Sequence, residues 1–314
     1  GDYPVFHLTA ITHRKDPIYL TTIVGKPPQE DFYLGRATER IFLPLMRTQL
    51  PEIVDMDMPV EGVFHNCVIV SIDKRYPMQS RRLMSALWGL GQMSFVKTII
   101  TVDATVDVHN YDEVTKLVLN NVEFERDLFF SEGVLDVLNH ASDNMLYGSK
   151  LGVDLTAKIE GEPGFGETLP TAFHGPQLPS KIDVLNQFEE LKDCRILDLD
   201  TKRAVMYAAL DKTRPNQARE FSERFFDVPE FASVDIVIVL ESHVKLDDDS
   251  VVMWKFFNNL DPKRDFYFDD GRLSIDVTKK LKEEGYQQRW PEEIEMSEEI
   301  KTHVDAKWNS MFKE

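Results

Sequence analysis

"DKRYPMQSRRLM", residues 73–84, returns as "DKTRPNQAREFS" at residues 211–222, and this repeat decides the fold. Five positions are identical, and each pair lies 138 residues apart (212 − 74 = 138). The same spacing relates "VKTIITV" (96–102) to "VDIVIVL" (234–240) and "LNNVEFERDLFFSEGVL" (119–135) to "FNNLDPKRDFYFDDGRL" (257–273). Three blocks in one register indicate an internal duplication.

The spacing between the copies changes after residue 137. "VDLTAK" (153–158) matches "IDVTKK" (275–280) at a distance of 122 residues (275 − 153 = 122). The second copy therefore lacks about 16 residues (138 − 122 = 16). The missing piece corresponds to "LNHASDNMLYGSKLG", residues 138–152 of the first copy.

Each copy predicts the order strand, helix, strand, helix, strand. In the first copy, short β-branched runs typical of buried strands are "CVIVSI" (67–72), "KTIITVD" (97–103) and "RDLFFSE" (126–132). Helical spacing of apolar residues marks "MQSRRLMSALWGLGQM" (78–93) and "YDEVTKLVLNNV" (111–122). Strands that alternate with helices predict an α/β class, with helices packed on a sheet.

The chain divides into four predicted parts. We expect a leading segment at 1–50, the first copy at 51–190, the second copy at 191–296 and a C-terminal amphipathic helix at 297–314. Ser297 is a typical helix N-cap, and Ile300, Val304 and Trp308 follow at helical spacing. Such an apolar stripe needs a surface to pack on, and a partner subunit is one candidate.

Composition limits the class of protein. A formal charge of −18 and a pI near 4.9 argue against nucleic acids and anionic membranes as partners. Cys67 and Cys194 lie in apolar runs, which predicts reduced, buried thiols. No apolar run approaches the roughly 20 residues that span a membrane, so we expect a cytoplasmic protein. Because Gly1 stands where Met would be expected, we also expect a fragment.

The leading segment predicts two strands and a helix. His7 and His13 share one face of the first strand but lie about 20 Å apart at 3.3 Å per residue, so they do not bind one metal. The helix begins near Leu34 and is predicted to carry Ala37, Ile41 and Leu45 along one side. Pro44 is predicted to kink or end it.

Two acidic stretches are candidates for a functional site. "EGEPGFGE" (160–167) places Glu162 and Glu167 around a Pro-Gly-Phe turn, and a carboxyl pair suits proton transfer. Its Gly/Pro-rich composition favours a linker between the copies. "KLDDDS" (245–250) favours an acidic helix start over a cation site.

Several motifs, in order, resemble the UbiD-type decarboxylases. They are "FHLTAITHRKDPIYLTTIVGKPPQEDFYLG" (6–35), "CVIVSIDKRYP" (67–77), "ALWGLGQM" (86–93), "TIITVDATVDV" (98–108), "YGSKLGVDLT" (147–156) and "EGYQQRWPEEIEMSEEIKTHVDAKWNSMF" (284–312). The versions "IVGKPP" and "ALWGLGQM" are most similar to the menaquinone-biosynthesis branch, whose substrates are naphthoate-type acids.

The resemblance implies a tandem-duplicated α/β domain preceded by the last strands of a split β-barrel that binds flavin. It implies removal of CO2 from an aromatic acid in ubiquinone or menaquinone biosynthesis, with prenylated FMN and a divalent metal. In the family, the catalytic Arg and Glu pair lie upstream of the position of Gly1. The resemblance therefore predicts no catalytic residue here, and the fragment alone is expected to be inactive and to hold no cofactor.

Six substrate-pocket candidates follow from the resemblance. Four are Val24, Gly25, Lys26 and Leu34, which match positions that line the substrate side of the flavin. Leu135 and Val137 lie in a segment that matches a loop approaching the pocket. We interpret Lys150 in "GSKLG" as a surface lysine. The sequence departs from the family at Met78 and Gln79, where Gly-His is expected.

A second hypothesis belongs to a different class. The duplicated domain would be a non-catalytic oligomerisation module of a larger complex. The acidic surface, the terminal amphipathic helix and the missing carboxylate motif favour it. In both readings the chain is expected to form a homo-oligomer through its α/β domains and the C-terminal helix.

Overall fold

The structure is a computed structural model that describes residues 4–19, 26–27, 30–167 and 177–311. It contains two compact units, one formed by residues 26–293 and one by residues 1–25 with 294–314. The larger unit holds both copies of the repeat.

Each copy forms one five-stranded sheet, and both sheets have the same strand order. The first sheet has the order β1-β2-β3-β5-β4 and the second β6-β7-β8-β10-β9. The strands of the first sheet are β1 (Ile53–Asp57), β2 (Cys67–Ile72), β3 (Thr98–Asp103), β4 (Leu128–Val134) and β5 (Tyr147–Asp154). Those of the second are β6 (Leu191–Leu197), β7 (Val205–Leu210), β8 (Ile236–Glu241), β9 (Phe266–Asp269) and β10 (Arg272–Asp276). In each sheet the three central strands are parallel and the two edge strands are antiparallel.

Helices cover the sheets and connect the parallel strands. The helices of the larger unit are α1 (Glu30–Gln49), α2 (Gln79–Leu87), α3 (Tyr111–Asn121), α4 (Phe124–Asp127), α5 (Lys181–Gln187), α6 (Gln217–Phe226), α7 (Asp249–Asn259) and α8 (Pro262–Asp265). Helix α9 (Glu298–Met311) belongs to the smaller unit. Helix α7 begins as predicted, since the Asp248 carboxylate accepts a hydrogen bond from the Val251 amide. No helix in the described ranges is long and apolar enough to cross a membrane.

The structure confirms the duplication. Strands β2 and β7 begin at Cys67 and Val205, which are 138 residues apart (205 − 67 = 138), and the last strands end at Asp154 and Asp276, 122 apart (276 − 154 = 122). The α/β class is confirmed. The sequence reading missed the antiparallel first strand of each copy and the parallel strand that closes it, because their short apolar runs are interrupted by polar residues.

Three hydrophobic clusters hold the larger unit together. One lies under α1 and α2 in the first copy, and one lies under α5 and α6 in the second. The third is shared, because it combines residues from both sheets with residues from α3 and α7. Both cysteines are buried free thiols, as predicted. The two copies therefore share one core.

The polar contacts between the copies are reciprocal. Asn120 at the end of α3 accepts a hydrogen bond from the Lys202 amide at 2.8 Å, next to β7. Its counterpart in the second copy, Asn258 at the end of α7, accepts one from the Asn66 side chain at 3.1 Å, next to β2. Each copy thus places the same helix end against the same strand start of the other.

Helix α1 does not end at Pro44. It continues through this residue, whose exposed position leaves the helix anchored by buried residues on the opposite face. Those residues are Glu39, Leu43 and Met46, whereas the side that carries Ile41 and Leu45 is exposed. Glu39 is held inside by arginines and by the Met58 amide.

The smaller unit includes residues 4–19 and helix α9. Residues 4–19 form no strand in the structure, and Val5, Phe6, Leu8 and Ile11 are exposed. A strand needs a neighbour that accepts its backbone hydrogen bonds, and the described residues of this segment have no paired strand beside them. Helix α9 exposes Ile300, Val304 and Trp308.

Candidate functional site

The structure describes four of the six predicted pocket residues. Val24 and Gly25 lie outside the described residues. The Lys26 ammonium lies 3.2 Å from the Glu293 carboxylate, and Leu34 is exposed on α1. Leu135 is buried, while Val137 is 70% exposed, and both lie between β4 and β5. The structure therefore groups only these last two, and the pocket stays a prediction.

The segment between β4 and β5, residues 135–146, is here called the insertion loop. Its ends meet, since the Leu135 amide donates to the Leu146 carbonyl at 2.9 Å. In the second copy the equivalent connection is only Asp270 and Gly271, both with positive φ (43° and 76°). A two-residue turn of this kind matches the twist of a hairpin. The insertion loop accounts for most of the residues that the second copy lacks.

The outer side of the insertion loop is apolar. Val137, Leu138, Met145 and Leu146 are between 48% and 70% exposed. Val134 and Tyr147 on the flanking strands extend this surface. Contiguous exposed apolar side chains of this kind are typical of a surface that contacts a ligand or another protein.

The inner side is held by buried polar side chains. The Asn139 carboxamide accepts a hydrogen bond from the Lys97 ammonium at 2.9 Å and donates to the Ser142 hydroxyl at 3.1 Å. The His140 Nε2 lies 3.1 Å from the Asn259 Oδ1, and its ring packs edge-on against Trp290. Asn259 and Trp290 both belong to the second copy.

The hydrogen bonds define the protonation of His140. Asn259 donates through Nδ2 to the Val277 carbonyl at 2.9 Å, so its Oδ1 is the atom that faces His140. An oxygen only accepts, so His140 carries a proton on Nε2. Burial lowers the pKa of His140 to about 4, and the ring is neutral at pH 7.

Three consecutive carbonyls of the insertion loop accept hydrogen bonds from the second copy. The Tyr286 hydroxyl donates to the His140 carbonyl at 2.7 Å, and Gln288 donates to the Ser142 carbonyl at 2.7 Å. Between them, the Arg264 guanidinium donates to the Ala141 carbonyl at 2.8 Å. The backbone of this part of the loop is therefore specified by residues more than 120 positions away in sequence.

Two buried side chains beneath the insertion loop, Lys97 and His65, have shifted pKa values. Burial lowers the pKa of Lys97 to about 7, against the opposing charges of Asp261 and Asp265. Burial also lowers the pKa of His65 to about 4. Neither ring nitrogen of His65 has a hydrogen-bond partner among the described residues. Lys97 can exchange a proton near neutral pH, but its side chain is closed off from solvent.

The interpretation of Lys150 as a surface lysine was wrong. The side chain is buried, and its ammonium donates to the Ser94 and Val96 carbonyls at 2.7 and 2.9 Å. Burial lowers its pKa to about 8. Lys150 sits in β5, where its side chain faces the 3-10 turn at Gly91–Phe95, so it fixes that turn and does not charge the insertion loop.

Glu162 also has a structural role. Its carboxylate pairs with the buried Lys74 ammonium at 2.6 Å and accepts hydrogen bonds from the Met78 and Ile159 amides. In the second copy, Lys212 and Glu284 form the same arrangement at 2.8 Å. The segment 160–167 is thus more than a linker, because Glu162 binds the buried lysine of the first copy as Glu284 binds that of the second.

Met78 lies in the left-handed region, with φ 63°, and so does its counterpart Asn216, with φ 58°. This is the conformation that glycine adopts without strain. The glycine that the resemblance led us to expect at residue 78 would fit this backbone.

The sequence reading missed the buried polar residues under the insertion loop. One signal was available, since Lys97 opens a β-branched run in which a charge is unusual. The described ranges contain no group of three or more His, Cys, Asp or Glu side chains that could hold a metal. The buried polar side chains beneath the insertion loop position that loop.

Two domain profiles of one carboxy-lyase family match the chain. The profile described as the 3-octaprenyl-4-hydroxybenzoate carboxy-lyase (UbiD) C-terminal domain matches residues 32–155 and 167–286. The profile of the Rift-related domain of the same carboxy-lyase matches residues 1–27. The first match runs through both copies of the repeat.

Curated relatives are longer proteins. An uncharacterized protein of Aquifex aeolicus is 48% identical over 182 residues, which cover 58% of this chain and 37% of the relative. An uncharacterized protein of Helicobacter pylori J99 is 32% identical over 306 residues, which cover 97% of this chain and 48% of the relative. The chain thus spans less than half the length of either relative.

Two solved structures are similar to part of the chain. One is the vanillic acid decarboxylase of Sedimentibacter hydroxybenzoicus in its open form (24% identity, TM-score 0.45, 51% of this chain and 35% of that chain). The other is the UbiD-class enzyme HmfF of Pelotomaculum thermopropionicum in complex with FMN (20% identity, TM-score 0.38, 45% and 31%).

Proposed function

Because the chain belongs to the UbiD family of carboxy-lyases, we propose that the full-length protein removes CO2 from an aromatic acid and that this chain forms its C-terminal part. The observation that carries the proposal is the family match through both copies of the repeat. The match of residues 1–27 to the Rift-related domain supports the proposal that the chain begins with the last strands of a flavin-binding split barrel.

The proposed cofactor is prenylated FMN with a divalent metal, which would supply an electron sink for the loss of CO2. The described residues offer no converging set of metal ligands. As the resemblance implies, we propose that cofactor binding, and the Arg and Glu pair of the family, belong to the remainder of the full-length protein. The isolated chain is proposed to be inactive.

The proposed substrate is an acid of the quinone pathways, either a 3-octaprenyl-4-hydroxybenzoate or a naphthoate-type acid of menaquinone biosynthesis. The apolar outer side of the insertion loop, at Val137 and Leu138, suits the aromatic body of such an acid. Val24, Gly25, Lys26, Leu34 and Leu135 are kept as further pocket candidates. We place the enzyme in the cytoplasm.

A second function, assembly, is supported by exposed apolar helix faces. Helix α1 exposes Tyr33, Ile41 and Phe42, and α9 exposes Ile300 and Trp308. Such faces are typical of protein interfaces. We propose that the protein is a homo-oligomer that uses these helices and the α/β domains.

The test is to express the full-length protein and residues 1–314 separately, reconstitute both with prenylated FMN and Mn²⁺, and measure CO2 release from hydroxybenzoate and naphthoate acids. We expect turnover by the full-length protein alone. Release of CO2 by the short chain, or none by the reconstituted full-length protein with any of these acids, would contradict the proposal. Light scattering of both proteins measures the oligomer, and a monomer in both cases would contradict the assembly role.

A further inference from the structure

The two sides of the insertion loop differ in what contacts them. On the inner side, the carbonyls of His140, Ala141 and Ser142 each accept a hydrogen bond from a side chain of the second copy. On the outer side, Val137 and Leu138 are exposed. The loop is thus fixed from behind and presents an apolar edge in front.

The groups behind the loop are themselves fixed. Tyr286 is buried, and its ring packs against Trp290 at 5.2 Å between centroids. Asn259 is buried, and its Nδ2 donates a hydrogen bond to the Val277 carbonyl. A donor whose side chain cannot move defines the position of its acceptor more tightly than a mobile surface group does.

The duplication explains why these groups are available. In the second copy the equivalent of the insertion loop is the turn at Asp270 and Gly271, so this copy presents no comparable edge. Asn259 corresponds to Asn121 in the first copy (259 − 138 = 121), which is exposed. The same helix end therefore faces solvent in one copy and holds His140 in the other.

We propose that the second copy is a cradle that sets the conformation of the insertion loop, with Asn259, Tyr286 and Gln288 as positioning residues for the edge at Val137 and Leu138. The cradle itself rests on the contacts above. Its consequence for the binding of an aromatic acid rests on the proposed function.

The experiment uses the full-length protein with two conservative substitutions, Tyr286→Phe and Gln288→Met, alone and together. Tyr286→Phe removes one hydroxyl and keeps the ring contact with Trp290. Gln288→Met removes a donor at similar length. Gln287→Met is the matched control, because Gln287 is exposed and donates only to the nearby Gly285 carbonyl.

Hydrogen exchange of peptides from residues 135–146 is the first measurement and needs no substrate. We expect the double variant to exchange about tenfold faster than wild type, since each lost hydrogen bond contributes modestly, with exchange in β2 and β7 unchanged. Gln287→Met should match wild type. Unchanged exchange in the folded double variant would overturn the cradle.

Steady-state kinetics with the acid that the full-length protein turns over is the second measurement. We expect the double variant to raise KM several-fold with kcat within about twofold, because a loose loop weakens binding without altering the reacting groups. Faster exchange with an unchanged KM would overturn the positioning role. If wild type turns over no acid, the proposed function fails, while the exchange result still decides the cradle.

Discussion

The two ends of the interface between the copies are built differently although the repeat makes them equivalent. At one end the buried Arg203 guanidinium donates to the Val122 carbonyl and lies 4.5 Å from the Phe124 ring centre. At the other end the equivalent residue is His65 (203 − 138 = 65), whose ring nitrogens have no partner among the described residues. Here Lys97 and the insertion loop supply the polar contacts.

The difference separates what holds the fold from what serves function. One arginine supplies polar contacts at the first end, so stability alone does not require the twelve-residue insertion loop with its one histidine, His140, or the buried His65 and Lys97 beneath it. Buried ionisable groups with shifted pKa values cluster at functional sites. The end where the duplication is broken is therefore the end to which we assign function.

The largest loss of stability is expected at the buried lysine–glutamate pair that both copies contain. Glu162→Gln removes the counter-charge of the buried Lys74 and should lower the free energy of unfolding by about 3 kcal/mol, whereas Glu284→Gln leaves Lys212 the more distant Asp276 carboxylate at 3.9 Å and should cost about 2 kcal/mol. Urea unfolding of the two variants measures this. A loss in one copy that exceeds the other by more than about 1.5 kcal/mol would show that the two copies are not equivalent in this respect.

The next-largest loss of stability is expected at the interface between the copies, where Arg203 and His65 occupy equivalent positions. Arg203→Met should cost about 2 to 3 kcal/mol, because the buried Val122 carbonyl loses its donor. His65→Leu, at the equivalent position, should change stability by less than about 1 kcal/mol, because no hydrogen bond is lost. Equal losses in the two variants, measured by urea unfolding, would remove the distinction between the ends.

A pH effect should follow from His65 and His140. Each has a folded pKa of about 4, below the ordinary value of 6.5, so the unfolded chain binds more protons between these values. Stability is fully present above pH 6.5 and falls as the pH drops toward 4, by about 1 kcal/mol per pH unit for each histidine. Denaturant midpoints at pH 7 and pH 5 measure the slope, which His65→Leu should reduce. A slope that the variant leaves unchanged would contradict the assignment.

The smallest effect concerns the turn that replaces the insertion loop. Gly271 has φ 76°, so Gly271→Ala should lower stability by about 1 kcal/mol through backbone strain. Gly89→Ala is the control, because an added Cβ there meets only ordinary contacts at 3.6 Å. Thermal melts compare the two, and equal melting temperatures would argue against a strained turn.

The repeat, the α/β class and the buried cysteines could be predicted from the sequence, because each depends on a local pattern or on a fixed spacing. The contacts of the insertion loop could not. His140 and Asn259 are 119 residues apart, and no periodicity relates them. Lys150 was misread for the same reason, since its acceptors are backbone carbonyls that a sequence does not display.

Helix α1 shows a related limit. Its apolar residues Ile41 and Leu45 share one side, yet that side is exposed and the structure buries Glu39. A carboxylate is buried only when partners satisfy it, and those partners include the Met58 amide, directly after β1. Periodicity therefore identified the helix but not which of its faces is buried.

The most direct test of the assignment is the KM of the full-length protein for the aromatic acid proposed as its substrate after Val137→Asp, with Ile182→Asp as control. The two side chains are equally exposed, at 70% and 69%, but Ile182 lies on α5 in a part of the chain to which we assign no ligand. We predict that Val137→Asp raises KM at least about tenfold, since a carboxylate repels the acid and disrupts the apolar edge, while Ile182→Asp leaves it unchanged. The same KM in both folded variants would contradict the account.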